Sequence, residues 1–322
     1  MSERYNSFGS FMKRKYGSSV YKVSVDAGFS CPNRDGTIST KGCIYCNNDS
    51  FIPKSCKSSL SISEQIRNGI NSIRKRYKAE KFLVYFQPYT NTYASVDVLE
   101  RVYNEALSEP SVIGLAIGTR PDCIDSDKIL LLSELSKKYF ILIEYGMQSI
   151  HDKTLKFINR GHDYNTFLMA IEMTRDKGLY IGAHIIVGFP TETKEEMFLI
   201  ADEVSRIQID FLKIHHLQVI KDTALEAIYK EKPFHTFEYN EYIDFITDFI
   251  GRLSPRIVIQ RLFASAPDNL LIAPQWGKSK QKILRDIEKR LKHKDIYQGK
   301  YMKLSAPFFN PHSAGILYPK ML

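Results

Sequence analysis

The chain has 322 residues, 43% hydrophobic and 25% charged, enough apolar material for one large domain with an extension or for two domains. Its formal net charge of +9 and pI of about 9.1 attract polyanions and raise encounter rates with them. Five cysteines make no disulfide framework at this length, no apolar run approaches a bilayer span, and the opening MSERYNSFGSFMKRKYGSS holds no apolar signal segment, so the expectation is a cytoplasmic protein with reduced thiols and no membrane partner.

Residues 1–17 form a basic N-terminal segment with the dense run MKRKY (12–16). VYKVSVD (20–26) is the first strand, and the loop after it, FSCPNRDGTISTKGCIYCNN (29–48), gathers Cys31, Cys43 and Cys46. SISEQIRNGINSI (61–73) opens on a capping box, Ser61 to Glu64, and repeats Ile62, Ile66, Ile70 and Ile73 at helical spacing. Further β-rich runs follow at 82–86, 112–117, 139–145, 180–187 and 211–217, several near-continuously apolar, as strands buried on both faces are. After the long first loop, strand starts recur roughly every 30–40 residues, the length of βαβ units. The pattern predicts an α/β fold over 18–225, a partial (β/α)6 TIM-like barrel, with chemistry at the C-terminal ends of the strands. From about residue 226 the alternation fades. FEYNEYIDFITDFIGRL (237–253) reads as an amphipathic helix, RIVIQRLF (256–263) as one further strand, and KSKQKILRDIEKRLKHK (278–294) as a basic helix. Residues 226–322 are therefore a mainly helical, basic C-terminal extension. Each basic run is a solvated face or an RNA footprint.

Clustered thiolates suit zinc or an iron–sulfur cluster. A structural zinc needs four ligands, and Cys56 would complete a C-x11-C-x2-C-x9-C set. A cubane held by three thiolates leaves one iron open to chelate a small molecule. Cys123, in TRPDCID after the third strand, reads as a small buried hydrophobe.

The cysteine loop, with Tyr45 just before its last cysteine, resembles that of radical S-adenosylmethionine (SAM) enzymes. Its long first gap is similar to the branch of the Elongator catalytic subunit and its short bacterial YtqA/YhcC-type relatives. The resemblance covers about residues 18–225. It implies a [4Fe–4S] cluster on Cys31, Cys43 and Cys46 and reductive cleavage of SAM at the open iron, giving a 5′-deoxyadenosyl radical that abstracts hydrogen from carbon. EYGMQSIHDKTLKFINRGHDY (144–164) resembles the family's G-x-Q-S … R-G-H pattern. By that resemblance Glu144 and Gln148 reach the ribose hydroxyls, and Arg160 holds the SAM carboxylate, a match for a guanidinium fork. FQPYTNTYAS (86–95) stands where the family contacts the SAM amino group. The usual Gly-Gly-Glu-like segment is absent, so Thr90 and Asn91 are the candidates. HIIVGFPTET (184–193) resembles the adenine-accepting segment, with Gly188 for backbone approach and Pro190 stiffening the turn. Tyr45 contributes backbone to the adenine or packs the loop.

KIHHLQVIKDTALE (213–226) resembles the Elongator-type stretch after the sixth strand and offers Lys213 and His216 as catalytic candidates, with His184 from the fifth strand. His215 is read as facing away from Lys213 and His216. Tyr89 and Tyr93 line the pocket, stack a base or pack the core. By resemblance to the short bacterial family, without an acetyltransferase domain or a second cysteine triad, the implied substrate is a tRNA wobble uridine in the anticodon loop. The implied reaction converts 5-carboxymethylaminomethyl-(2-thio)uridine to 5-aminomethyl-(2-thio)uridine, with a low-potential electron donor such as flavodoxin or ferredoxin. Two alternatives stand beside it: a radical SAM oxidoreductase acting on a small, porphyrin-precursor-like molecule, and a non-enzymatic, zinc-stabilised RNA-binding protein.

Overall fold

A computed structural model describes residues 3–47 and 58–302; Cys56 lies outside the described residues. Seven parallel strands form the main sheet: β1 (Val20–Val25), β2 (Lys81–Phe86), β3 (Val112–Thr119), β4 (Phe140–Gln148), β5 (Tyr180–Val187), β6 (Phe211–His216) and β8 (Val258–Arg261), in that spatial order. Parallel neighbours cannot be joined by tight turns, so each connection carries helix. These helices are α2 (Ile62–Arg74), α3 (Val96–Leu107), α4 (Ser126–Ser136), α5 (Asp152–Phe157) with α6 (Tyr164–Thr174), and α7 (Lys194–Arg206). The architecture is the expected partial TIM-like barrel, and the run at 256–263 supplies its seventh strand. A separate antiparallel pair joins β7 (Val219–Ile220) to β9 (Leu271–Ala273).

The two-residue period of a strand decides what enters the barrel. Phe140 and Leu142 share the inward face of β4 with Glu144 and Gly146, and Phe211 shares that of β6 with Lys213 and His215. The strand starts form an apolar layer of Leu83, Ala116, Phe140, Leu142, Phe211 and Val258. α1 (Phe8–Tyr16) plugs this layer from below, burying Met12 fully and packing Phe8, Phe11 and Tyr16 against it. Phe11 meets Phe211 edge-to-face at 5.2 Å. The plug is anchored by backbone, since Ile259 N donates to Asn6 O at 2.8 Å and Ser7 bridges Ile259. The basic N-terminal segment is thus half core element: Lys13, Arg14 and Lys15 stay exposed around the buried Met12.

Beyond β6 lie α8 (Ala224–Glu231), α9 (Tyr239–Arg252) and α10 (Lys280–His293). α10 buries Ile283, Ile287 and Leu291 in the main core together with Ile243 and Ile246 of α9. Three cations of this region are spent on carboxylates: Lys282 on Asp286, Arg290 on Asp244, and Lys294 on Asp244 and Asp248. Among the described residues no helix is long and apolar enough to cross a membrane.

Met12→Ala removes the centre of the plug, so it is expected to lower the unfolding free energy by about 2–4 kcal/mol in urea titrations. Lys13→Ala, on the exposed face beside it, is expected to stay within about 0.5 kcal/mol of the parent.

Candidate active site

The cysteine loop leaves β1 and is fastened to neighbouring strand ends by its backbone. Thr90 N donates to Ser30 O at 3.3 Å, Ile44 N to Ile158 O at 3.1 Å, and Leu225 N to Ile44 O at 2.8 Å. Asn33 Nδ2 donates to Asn159 O, and Asn159 Nδ2 returns a bond to Gly42 O, both at 2.7 Å. The Tyr93 hydroxyl bonds Thr37 Oγ1 at 2.8 Å, so Tyr93 holds the loop. Within the loop, Arg34 N donates to Cys31 O and Cys46 N to Cys43 O, two turns that bring the cysteines round to one side.

Cys31, Cys43 and Cys46 are thiols lining one cavity of about 270 Å³ at the C-terminal ends of the strands. Burial and the neighbouring thiols push Cys46 up, against the pull of Arg34. Cys43 Sγ has two N–H neighbours at 3.5 Å, Arg160 Nη1 and Asn33 Nδ2. Arg34, Arg120 and Arg160 also line this end of the cavity. Three neighbouring thiols among guanidiniums suit metal that deprotonates them. Among the described residues no three His, Cys, Asp or Glu side chains are gathered to hold a single ion. A tetrahedral zinc would need sulfurs about 3.8 Å apart at Zn–S of about 2.3 Å, whereas a cubane spreads its thiolates over separate iron corners.

Arg160 is buried and donates through Nη2 to Gly146 O at 2.7 Å, while its Nε has no protein partner. A Cβ on Gly146 would lie 2.6 Å from Arg160 Nη2 and 2.7 Å from Gln148 Nε2, so glycine lets both side chains cross the strand there without shifting. Gln148 adopts φ 68° beside a register shift in β4. Tyr89, also at positive φ, lines the rim and is exposed. Thr90 Oγ1 and Arg120 Nη1 are buried at the cavity without protein partners. These unspent polar atoms beside the thiols fit a small polar molecule bound next to a cluster. Tyr45 lines the same wall and tilts on Phe189 at 6.3 Å.

Two candidates stand back from the cavity. Asn91 spends its amide nitrogen on Phe86 O, Pro88 O and Gly118 O, which ties the end of β2 to that of β3. Gly188 has φ 97° and abuts Phe237, where a Cβ would lie 3.0 Å from the ring. Its glycine serves packing and a left-handed turn. Cys123 is buried away from the cavity lining, and burial pushes its thiol to about 12.

A charged layer lies below the thiols. Glu144 is fully buried and saturated: Oε2 accepts from His184 Nε2 at 2.9 Å and from Lys213 Nζ, and Oε1 accepts from Gln260 Nε2 at 2.8 Å and from Lys22 Nζ at 3.4 Å. Burial works against its charge, but Lys213 and Lys22 hold the carboxyl well below its ordinary range. These four donors occupy both oxygens of Glu144, which also lines the cavity. Lys213 also sits over the Tyr85 ring at 4.0 Å. His215 shares the inward face with Lys213, as the strand period requires, and its ring lies 6.0 Å from that of His184. The assignment of His215 to the opposite face is thereby corrected: His216 is the one that turns away, stacking on Trp276 at 4.1 Å with its Nδ1 accepting from Ala264 N at 3.3 Å. Lys22, Tyr85, Gln260 and Arg261 were missed in the sequence. Lys22 and Tyr85 sit at inward positions of β-rich runs and were legible there; Gln260 and Arg261 depend on β8 closing the barrel.

A family model described as the Radical SAM superfamily matches residues 35–204, and one described as the Radical SAM C-terminal domain matches 209–293. The chain belongs to the radical SAM superfamily. It is an enzyme whose cofactors are a [4Fe–4S] cluster and SAM. YtqA of Bacillus subtilis is 31% identical over 94% of both chains. YhcC of Escherichia coli is 35% identical over 89% of this chain and 92% of its own. A tRNA uridine(34) acetyltransferase of Methanocaldococcus jannaschii is 28% identical over 44% of this chain and 26% of its own length. Among solved structures, N-terminally truncated Elp3 of Methanocaldococcus infernus superposes with a TM-score of 0.67 at 19% identity, covering 87% of this chain and 64% of that chain. The fold is therefore shared with Elp3. Membership of the superfamily sets the non-enzymatic zinc reading aside.

Burial holds His216 at about 3 and His184 at about 4, against an ordinary 6.5. Both stay neutral in the folded protein at pH 5, while the unfolded chain protonates them. The unfolded state binds more protons in this window, so stability falls as pH drops from about 6.5 towards 4. His216→Phe keeps a ring on Trp276 but cannot protonate. Between pH 7 and pH 5 the variant is expected to gain roughly 2 kcal/mol relative to wild type in urea titrations. A pH-independent gap between the two proteins would contradict the assignment.

Proposed function

We propose that this radical SAM enzyme modifies the wobble uridine of tRNA, converting 5-carboxymethylaminomethyl-(2-thio)uridine to 5-aminomethyl-(2-thio)uridine. The observation that carries the reading is the match to a tRNA uridine(34) acetyltransferase across part of the barrel, joined to the charge of +9. On α10, Lys280, Arg285 and Lys289 are exposed and make no ion pair among the described residues, which leaves them available to phosphates.

Cys31, Cys43 and Cys46 would hold three irons of the cluster, with Arg160 and Asn33 donating to the Cys43 sulfur. Thr90, Gln148, Arg160 and the backbone around Tyr45 would hold SAM. When bound, cluster and SAM supply a carbon-centred radical able to take hydrogen from an unactivated carbon. The chain's own residues orient the reactants and keep water away: α1 closes the barrel from below, and the cysteine loop roofs the cavity. Lys213 and His184, paired with Glu144, border the space below the thiols, where a flipped-out base would enter.

The test is anaerobic reconstitution with iron, sulfide, reductant, SAM and undermodified tRNA, followed by nucleoside mass spectrometry. The wobble nucleoside is expected to lose its carboxymethyl group, and Cys43→Ala is expected to abolish both that change and the cluster absorbance near ~400 nm. Cleavage of SAM with tRNA unchanged would overturn the substrate. Replacing Lys280, Arg285 and Lys289 by Gln is expected to weaken tRNA binding and to flatten its salt dependence by about 0.9 in log–log slope per cation. An unaltered slope would place the RNA elsewhere.

A further inference from the structure

Across the β6–β8 ladder, Lys213 stands directly opposite Arg261. Like charges in such a position repel, so a sheet that keeps them gains from an anion between them. The structure supplies only part of one. Among the described residues Glu144 is the sole carboxylate lining the cavity, and Lys213 and Lys22 already share it. Arg261 reaches the cavity from an exposed position at the end of β8, and among the described residues it has no hydrogen-bond or ion-pair partner. His215 adds a buried ring nitrogen, Nε2, with no partner, two residues beyond Lys213 on the same inward face. The other guanidiniums of the cavity belong to the cysteine end, where Arg34 donates to the Cys46 carbonyl, Arg120 to Asp122 and Arg160 to the Cys43 sulfur.

We propose that Arg261, with Lys213 and His215, is a receptor for a carboxylate carried by the substrate's reacting side arm. The inference rests on the tRNA reading for the identity of that arm. A guanidinium fork without a partner matches a planar carboxylate bidentately, and the Nε2–H tautomer of His215 offers a third donor. Lys213 and His215 Nε2, both buried in the cavity wall beside it, favour a carboxylate on an inserted side arm over the phosphodiester backbone, which a flipped base leaves outside. Arg261 therefore selects the carboxymethyl-bearing arm and releases the amine product once the carboxylate is gone.

The experiment compares reconstituted wild type, Arg261→Gln and Arg261→Lys. Each is titrated, with SAM present, with anticodon stem-loops bearing 5-carboxymethylaminomethyluridine or 5-aminomethyluridine. Wild type is expected to bind the carboxylate-bearing loop about 10- to 100-fold tighter, the worth of charge-assisted bonds. Arg261→Gln is expected to bind both loops alike, at the aminomethyl affinity, with a thermal midpoint no lower than that of wild type. Arg261→Lys, which keeps charge but loses the fork, is expected to recover part of the preference. Wild-type preference retained in Arg261→Gln would overturn the receptor and leave the tRNA function standing. If wild type modifies no tRNA, N-benzylglycine and benzylamine serve as the probe pair. Arg261-dependent preference for N-benzylglycine then upholds the receptor while the tRNA reading falls, and equal binding of the two overturns the receptor as well.

Discussion

A single buried carboxylate governs the interior of this barrel. Glu144 stands where the inward face of the strands changes from apolar to polar, and its two oxygens take four donors from β1, β5, β6 and β8. Ions removed from water are tolerated only when paired and hydrogen-bonded. Lys22 and Lys213 can point inward because Glu144 does. The same bonds draw β1 and β8, the two edge strands of the sheet, towards one centre, so the electrostatics of the site and the curvature of the sheet share a cause.

Above this layer the geometry is set by close approach. Arg160 and Gln148 cross over Gly146, and the guanidinium reaches both a strand carbonyl and the Cys43 sulfur. The cysteine loop gains its shape from bonds to segments far along the chain, at Thr90, Ile158, Asn159 and Leu225. Backbone strain at Tyr89 and Gln148 sits on the same rim, as it does where surrounding structure fixes a binding conformation. The cavity has two chemically distinct ends: sulfur and guanidinium under the loop, and a lysine–arginine pair with histidines below.

The flanking segments complete the barrel. α1 fills the lower mouth with aromatic and methionine side chains, and the region after 226 contributes β8 and, through it, Gln260 and Arg261. A half-barrel of six strands would leave Lys22 and Lys213 open to solvent on one side. Catalytic fold and extension are thus one structure around the charged layer, while the exposed cations of α10 face outward, where a polyanion can reach them.

The sequence alone determined the cysteine spacing, the parallel βαβ order and the capped helices, because each of these is local: ligand spacing, near-continuous apolar runs and a capping box need no distant partner. It also contained the common face of Lys213 and His215, since alternation along a strand is local too, although that face was misassigned. Tertiary structure alone decided that Asn91 spends its amide on strand-end carbonyls, that Gly188 is held by Phe237, that Met12 plugs the barrel, and that Arg261 meets Lys213 across a ladder. These outcomes depend on which residues far apart in the chain become neighbours. Register and closure fix that, and no periodicity within one segment records it.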